Sequence, residues 1–427
     1  MTRRQQFLVP VYSSGLARKG TPVQQPDHHA HDDGPATEAG VAAGMTRHPD
    51  DAEVRPLELF FDLVYVFALN QISHHLLEHR DWVGAGQTAI LFLAVFSVWS
   101  FTAWLTSLTN TEKNPVRWML LTTMFLGFFM NSTLGEAFGE SGWLFVALYL
   151  PLQIGRNIWA LRLGLEKTMH DHHGRMLVWI LGTTFLWIPG AMAEGELRLA
   201  LWGAAALIDL LGFVSGHPLP GRRTDTRHFP FVGEHLFERC RLFLLIAFGD
   251  TILVTGSTVV GVKLDVPTGL VTGVAIIGTI ALWWSYFRRS EGVTMETLKN
   301  SPDPARLSRK AIYALMGMVA GLILASVGDE IAIAHPLETT DVFTNLMIFG
   351  GPALFVLAQG WYLWRVDGDL PASRPLAFVA LALLAAATLP LPKVGAAVIS
   401  VLVLIAMAVA DSIKAHREGD RDEVANH

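Results

Sequence analysis

The chain has 427 residues, a formal net charge of −6 and a mean hydropathy of +0.38; 51% of its residues are hydrophobic and only 16% are charged. Soluble domains carry about 25% charged residues, so this composition excludes an ordinary soluble globular protein. The single Cys240 excludes a disulfide framework or a cysteine-rich metal centre, and the weakly acidic balance leaves no basic surface for nucleic acid.

Residues 1–54 are rich in Gly, Ala, Pro, Asp and His, with no apolar run long enough for a signal peptide. They read as a disordered tail. Its His28, His29, His31 and Asp32 are metal donors with nothing to fix their geometry, and Met45 is a second candidate start. From Leu57 onward apolar runs recur, each about long enough to cross a ~30 Å hydrocarbon core. The predicted spans are 57–77, 84–108, 115–137, 142–164, 175–193, 197–215, 239–261, 267–288, 310–333, 342–364, 374–391 and 394–412. With the N-terminus inside, the outer loops hold only Arg80, Arg198, Lys263 and Lys393, and Arg156 lies within a span. The rest of the 32 Lys and Arg fall on the inner side, which satisfies the positive-inside rule with both termini cytoplasmic.

The two halves of this array resemble each other. Glu58 to Asn70 in the first helix is answered by Glu238 to Asp250 in the seventh, and Trp99-Ser100-Phe101 by Trp284-Ser285-Tyr286. Leu134-Gly135-Glu136 is answered by Val327-Gly328-Asp329, and Ile188-Pro189 by Leu389-Pro390. Polar residues matching in the same order point to duplication. Six helices per unit, an even number, give both halves one topology about an axis along the membrane normal, a known transporter plan. The expected fold is therefore an all-α integral membrane protein of about twelve transmembrane helices in two parallel six-helix repeats. The repeats cover 55–216 and 235–413, joined by a cytoplasmic linker, 217–234, and followed by a tail, 414–427.

Ionisable groups inside a bilayer cost at least ~2.5–3.5 kcal/mol each and need partners or water. Glu58, Asp62, Asp209, Glu238 and Arg156 lie toward the cytoplasmic side; Asn70, Gln71 and Asp250 near the middle; Asn131, Glu136, Asp329 and Glu330 toward the outside. Glu58 and Asp62 share one helix face, a turn apart. Arg156 falls at the depth of Asp62 and Asp209, so a buried Asp62–Arg156 pair shared with Asp209 is geometrically allowed; the alternative has Arg156 snorkelling to the headgroups. Asp250 lies about twelve residues, ~18 Å, along its helix, beyond the reach of snorkelling. Following Gly249, it is the sharpest candidate for proton gain and loss, whereas its counterpart Asn70 cannot titrate. Trp99, Trp104, Trp283, Trp284, Trp361 and Trp364 read as aromatic-belt anchors. His74, His75 and Glu78, and His170, Asp171, His172 and His173, sit where loop histidines usually hold no metal. No phosphate loop, dinucleotide fingerprint, His-Glu-x-x-His or Gly-x-Ser-x-Gly motif is present.

The stretch Arg55-Pro56-Leu57-Glu58-Leu59-Phe60-Phe61-Asp62-Leu63-Val64-Tyr65-Val66-Phe67-Ala68, with a His at the helix end, resembles the opening signature of the bacterial low temperature requirement protein A family. A second family-like stretch, His235-Leu236-Phe237-Glu238-Arg239, leads to Leu245-Ile246-Ala247-Phe248-Gly249-Asp250, where the family pattern usually ends in Leu-Gly-Glu. Phe248 and Asp250 depart from it, which keeps a carboxylate but shortens its reach. Trp283-Trp284-Ser285-Tyr286-Phe287 and Pro189-Gly190 also look like family marks, and the resemblance covers about residues 53–415. It implies a multi-spanning bacterial membrane protein and supplies no substrate. A weaker similarity links the first helix to a channel family marked by Phe-Ser-Asp, although Phe61 stands where that Ser would be.

The expected function is a secondary transporter or permease of the bacterial cytoplasmic membrane for a small solute or ion. Asp250, Asp62, Glu58, Glu238 and Arg156 are the coupling or gating candidates, with Asn70, Asp209, Glu136 and Asp329 completing the polar path. The alternatives are an ion channel lined by the first helix of each repeat and a non-transporting structural membrane protein. No enzyme, cofactor, metal site or nucleic-acid partner is expected; the bilayer and the solute are the expected partners.

Overall fold

A computed structural model describes residues 45–48, 52–220, 233–288, 301, 303–366, 368 and 370–425, all within the unit Glu38–His427. The histidine cluster 28–32 and most of the expected linker lie outside the described residues. Twelve α-helices follow in order: α1 (Pro56–Glu78), α2 (Trp82–Leu108), α3 (Asn114–Ser132), α4 (Gly142–Arg162), α5 (Lys167–Met192), α6 (Gly195–Ser215), α7 (Gly233–Gly261), α8 (Val266–Phe287), α9 (Pro304–Ala334), α10 (Val342–Val366), α11 (Ser373–Ala387) and α12 (Lys393–Ala425). Each overlaps one predicted span, although α3 and α11 end five and four residues short of theirs and α12 runs on past its own. Among the described residues there is no strand; isolated bridges include Thr46↔Thr109 and Thr339↔Pro392.

Several helix starts are written into the chain. Pro occupies the first turn of α1, α3, α8 and α9, where its missing N–H costs nothing. Asp81, Asp265 and Asp303 accept the N–H of Gly84, Thr268 and Arg306 at 2.7, 2.9 and 2.9 Å, capping α2, α8 and α9. The helices outrun their apolar runs on one side: α5, α7 and α9 begin at 167, 233 and 304, because hydropathy marks the part that suits hydrocarbon while polar turns continue the helix.

Nine of these helices are long and apolar enough to cross a membrane by length and composition. The other three are α1, α3 and α11. α1 carries Glu58, Asp62, Asn70, Gln71, His74 and His75, which lower its hydropathy. The 15 residues of α11 rise only about 22 Å, short of a hydrocarbon core.

α1 packs on α2 and α3, α3 on α4, α4 on α5, α5 on α6, and α6 returns to α2. α7 packs on α8 and α9, α9 on α10, α10 on α11, α11 on α12, and α12 returns to α8. The two sets meet where α1 touches α7 and α9 and where α2 touches α7. α2 is the most enclosed of the apolar helices, whereas large apolar side chains such as Phe60, Trp118, Phe125, Phe185 and Leu253 face outward, as on a lipid-facing surface.

Glycines let α9 and α10 approach closely. A Cβ on Gly321 would lie 2.7 Å from the Gly351 carbonyl and the Phe355 nitrogen, and one on Gly351 would lie 2.4 Å from the Ala325 nitrogen. Close packing of this kind is how apolar helices associate where lipid removes the hydrophobic drive. Pro151 and Pro352 fall inside α4 and α10 respectively.

Candidate functional site

The first turns of α1 place Glu58 and Asp62 four residues apart on one face, and α7 places His235 and Arg239 four apart on the face opposite. All four side chains are fully buried. The Arg239 guanidinium grips Asp62 through Nε, 3.1 Å from Oδ2, and through Nη2 on Oδ1. Its Nη1 donates to Thr106 Oγ1 at 3.0 Å and to Glu58 Oε1 at 3.5 Å, and the group lies over the Phe61 ring. Such a fork on a carboxylate gives directional, charge-assisted bonds.

Glu58 is shared more widely. One oxygen accepts the backbone N–H of Arg55 at 2.9 Å, closing the start of α1, and meets His235 Nε2 at 3.1 Å. The other accepts from Arg47 Nη2 at 3.2 Å. His235 Nδ1 lies 2.9 Å from Ser107 Oγ on α2, and Trp99 Nε1, also on α2, donates to Asp62 at 2.8 Å. Two carboxylates thus face two guanidinium groups across α1, α2 and α7, with no net charge if His235 is neutral.

Arg47 was expected in a disordered tail. Instead residues 45–48 lie along the end of α2, where the Arg47 N–H reaches the Leu108 carbonyl at 3.1 Å and the Asn110 N–H reaches that of Met45 at 2.9 Å. Arg47 itself is 3% exposed.

The remaining candidates distribute differently from the sequence expectation. Asp62 pairs with Arg239 and not with Arg156. Nor does Arg156 snorkel: it is 3% exposed, donates to Gln153 Oε1 at 2.5 Å and, at 3.4 Å, to the Val98 carbonyl and Thr102 Oγ1, and sits over Phe101. The gap between Arg156 and Asp209 is bridged by neutral groups. Gln153 Nε2 donates to Ser97 Oγ at 2.6 Å and to the Tyr149 hydroxyl at 3.2 Å, while Trp187 Nε1 donates to Asp209 at 3.0 Å. Ser97, Ser100, Tyr149, Trp187 and Asp209 line one small cavity.

Glu238 stays outside the cluster, bonded to Arg241 at 2.8 Å on a partly exposed surface. Asn70 and Asp250 are half-buried and their side chains have no hydrogen-bond or ion-pair partner among the described residues. Glu136 is exposed in the turn after α3, whereas Asp329, its expected counterpart, lies within α9 and lines a cavity. Trp99 is not a belt anchor, being 0% exposed; Trp283, Trp284 and Trp364 do face outward. Among the described residues, no group of three or more His, Cys, Asp or Glu is arranged to hold a metal.

The model of the bacterial low temperature requirement A protein family matches residues 53–409, from the approach to α1 into α12. The chain belongs to that family. The low temperature requirement A signature on α1 therefore supplies both carboxylates of the cluster, and the second family-like stretch supplies His235 and Arg239. The chain is also 32% identical over 323 residues to uncharacterized protein RA0937 of Rhizobium meliloti (strain 1021), covering 74% of this chain and 78% of that one. No solved structure matches.

Sequence reasoning missed His235, Arg239, Arg47 and the role of Trp99. Aligning the halves drew attention to Glu238 as the equivalent of Glu58. The signal that would have found Arg239 is the second i, i+4 pair of polar residues, of a sign complementary to the first.

Proposed function

We propose that this low temperature requirement A protein is a secondary transporter or permease of the bacterial cytoplasmic membrane, moving a small solute or ion without enzymatic chemistry. All twelve helices cross the bilayer in this reading, both termini are cytoplasmic, and α1–α6 and α7–α12 form two parallel repeats. The matching neighbour order of the two sets, each with its second helix closed on by its sixth, supports the repeats. So do Pro151 and Pro352 within the fourth helix of each set.

The observation that carries the function is the Glu58–Asp62–Arg47–Arg239 cluster. It ties the first helix of one half to the first helix of the other on the expected cytoplasmic side. In this reading the contact is either made or broken as a whole, since parting one partner alone would leave a buried charge uncompensated. A bistable contact between two halves is what alternating access requires of a gate. The same burial argues against a pore between α1 and α7, since the polar faces there are filled by each other.

The test is flux in sealed proteoliposomes, read with a pH dye and a potential dye together under imposed H⁺, Na⁺ and K⁺ gradients. Wild-type protein should dissipate at least one gradient, and Asp250→Asn should alter that flux. Folded wild-type protein that moves nothing under any gradient, or with any small solute offered, overturns the proposal in favour of a structural role.

A further inference from the structure

A second cavity lies within the last six helices, bounded by α7, α8, α9, α10 and α12. Its volume is about 30 Å³, enough for one dehydrated ion or one or two waters. Asp329, Ser326, Thr251, Ser400, Ile348 and Pro352 are part of its wall.

The chemistry of that wall is one-sided. Asp329 has no hydrogen-bond or ion-pair partner among the described residues. One turn before it on the same face of α9, Ser326 is 5% exposed and its Oγ is buried without a partner. Pro352 has no N–H to give the carbonyl four residues earlier, which frees that of Ile348 from the helix ladder. Ser400 Oγ donates to this carbonyl at 3.0 Å, and Thr251 Oγ1 donates to the Phe248 carbonyl at 2.8 Å. Both hydroxyl protons are thus committed to backbone oxygen. What Ser400 and Thr251 have left to offer is lone pairs, and a carbonyl keeps a second acceptor position. Set in an otherwise apolar lining that includes Leu282, Leu322, Val401 and Leu404, these acceptor oxygens and one carboxylate suit a hard monovalent cation; a divalent ion ordinarily recruits more carboxylate.

We infer that Asp329, Ser326, Ser400, Thr251 and the freed Ile348 carbonyl form a sodium-ion site. It deepens the transport reading by naming a coupling ion, and rests on that reading for the coupling role alone; binding does not require transport.

The experiment is equilibrium binding of radioactive Na⁺ to the purified full chain in detergent, with N-methyl-D-glucamine holding the ionic strength. Saturable binding of one ion per chain is expected, lost in Asp329→Asn and weakened about tenfold in Ser400→Ala or Ser326→Ala. The serine variants keep the test open if Asp329→Asn does not fold. Absence of saturable binding to folded wild type overturns the site, as does binding that all three variants leave unchanged or that excess K⁺ abolishes equally well. If proton uptake at Asp329 is found with no Na⁺ binding, the sodium site is likewise overturned. Na⁺ binding without flux in proteoliposomes would sink the transporter and leave the site standing; flux without Na⁺ binding would do the reverse.

Discussion

Two regions of this bundle bury carboxylates and treat them in opposite ways. At the junction of α1, α2 and α7, Glu58 and Asp62 are fully enclosed and every oxygen is engaged by a guanidinium, an indole, an imidazole or a backbone N–H. In the cavity beside α9, Asp329 faces hydroxyls and a freed carbonyl with no cation beside it among the described residues. A buried charge with its counter-charge in place stabilises one arrangement; a carboxylate facing acceptors is set to exchange a cation or proton. Paired and unpaired carboxylates therefore have different expected roles, and mutation separates them.

The largest effect is expected from removing one side of the pair. Arg239→Met leaves two buried carboxylates short of a partner and should cost about 3–5 kcal/mol, seen as loss of the monodisperse peak in size-exclusion chromatography. Combining it with Asp62→Leu should recover much of that loss, because replacing both partners of a buried pair is often neutral and Glu58 keeps Arg47 as its counter-charge. If the single and combined variants behave alike, the cluster is not a unit.

Trp99→Phe keeps the ring packing but removes the N–H from Asp62. A hydrogen bond to a charged group contributes about 1.5–3 kcal/mol, so a clear fall in thermal midpoint is expected. Gly351→Ala, placing a methyl against the α9 backbone, should cost about 1–3 kcal/mol by overpacking. It also presses on the cavity wall, so Na⁺ binding should weaken along with stability.

On the other side of the comparison, Asp329→Asn is expected to leave the thermal midpoint in Na⁺-free buffer unchanged or raised, since it removes a charge that has no partner. A loss as large as that of Arg239→Met would erase the distinction between the two regions.

The smallest expected effect is a pH dependence in the turn after α9. There Lys393 Nζ donates to Glu338 at 2.7 Å, holding that carboxyl below its ordinary value. A lowered acid contributes stability above its unfolded value and loses it as pH falls through the lowered one. The difference in thermal midpoint between wild type and Glu338→Gln should therefore be slight at neutral pH and vanish in acid.

Much of the architecture was legible in residue order. Apolar runs bounded by Asp, Pro and Gly signals overlap all twelve helices, because hydropathy and capping are local properties. Where the expectation failed, the missing information was lateral. Depth along a helix can be counted from sequence, and by depth Arg156 was an admissible partner for Asp62. Which face of which neighbour that depth meets depends on helix packing, and the packing of α1 and α2 on α7 brings Arg239 there first. Trp99 was misread for the same reason: its position near a helix end suits a belt residue, yet α2 is surrounded by other helices.

By itself, then, the sequence determined a helical membrane protein, the number and order of its helices, its family and the residues too polar to lie in lipid unaccompanied. These follow from hydropathy, local hydrogen bonding and a contiguous signature. Only the tertiary structure decided which charges are neutralised and which are not. That assignment depends on contacts between residues some 180 positions apart, as in the 177-residue separation of Asp62 and Arg239, and no local periodicity carries it.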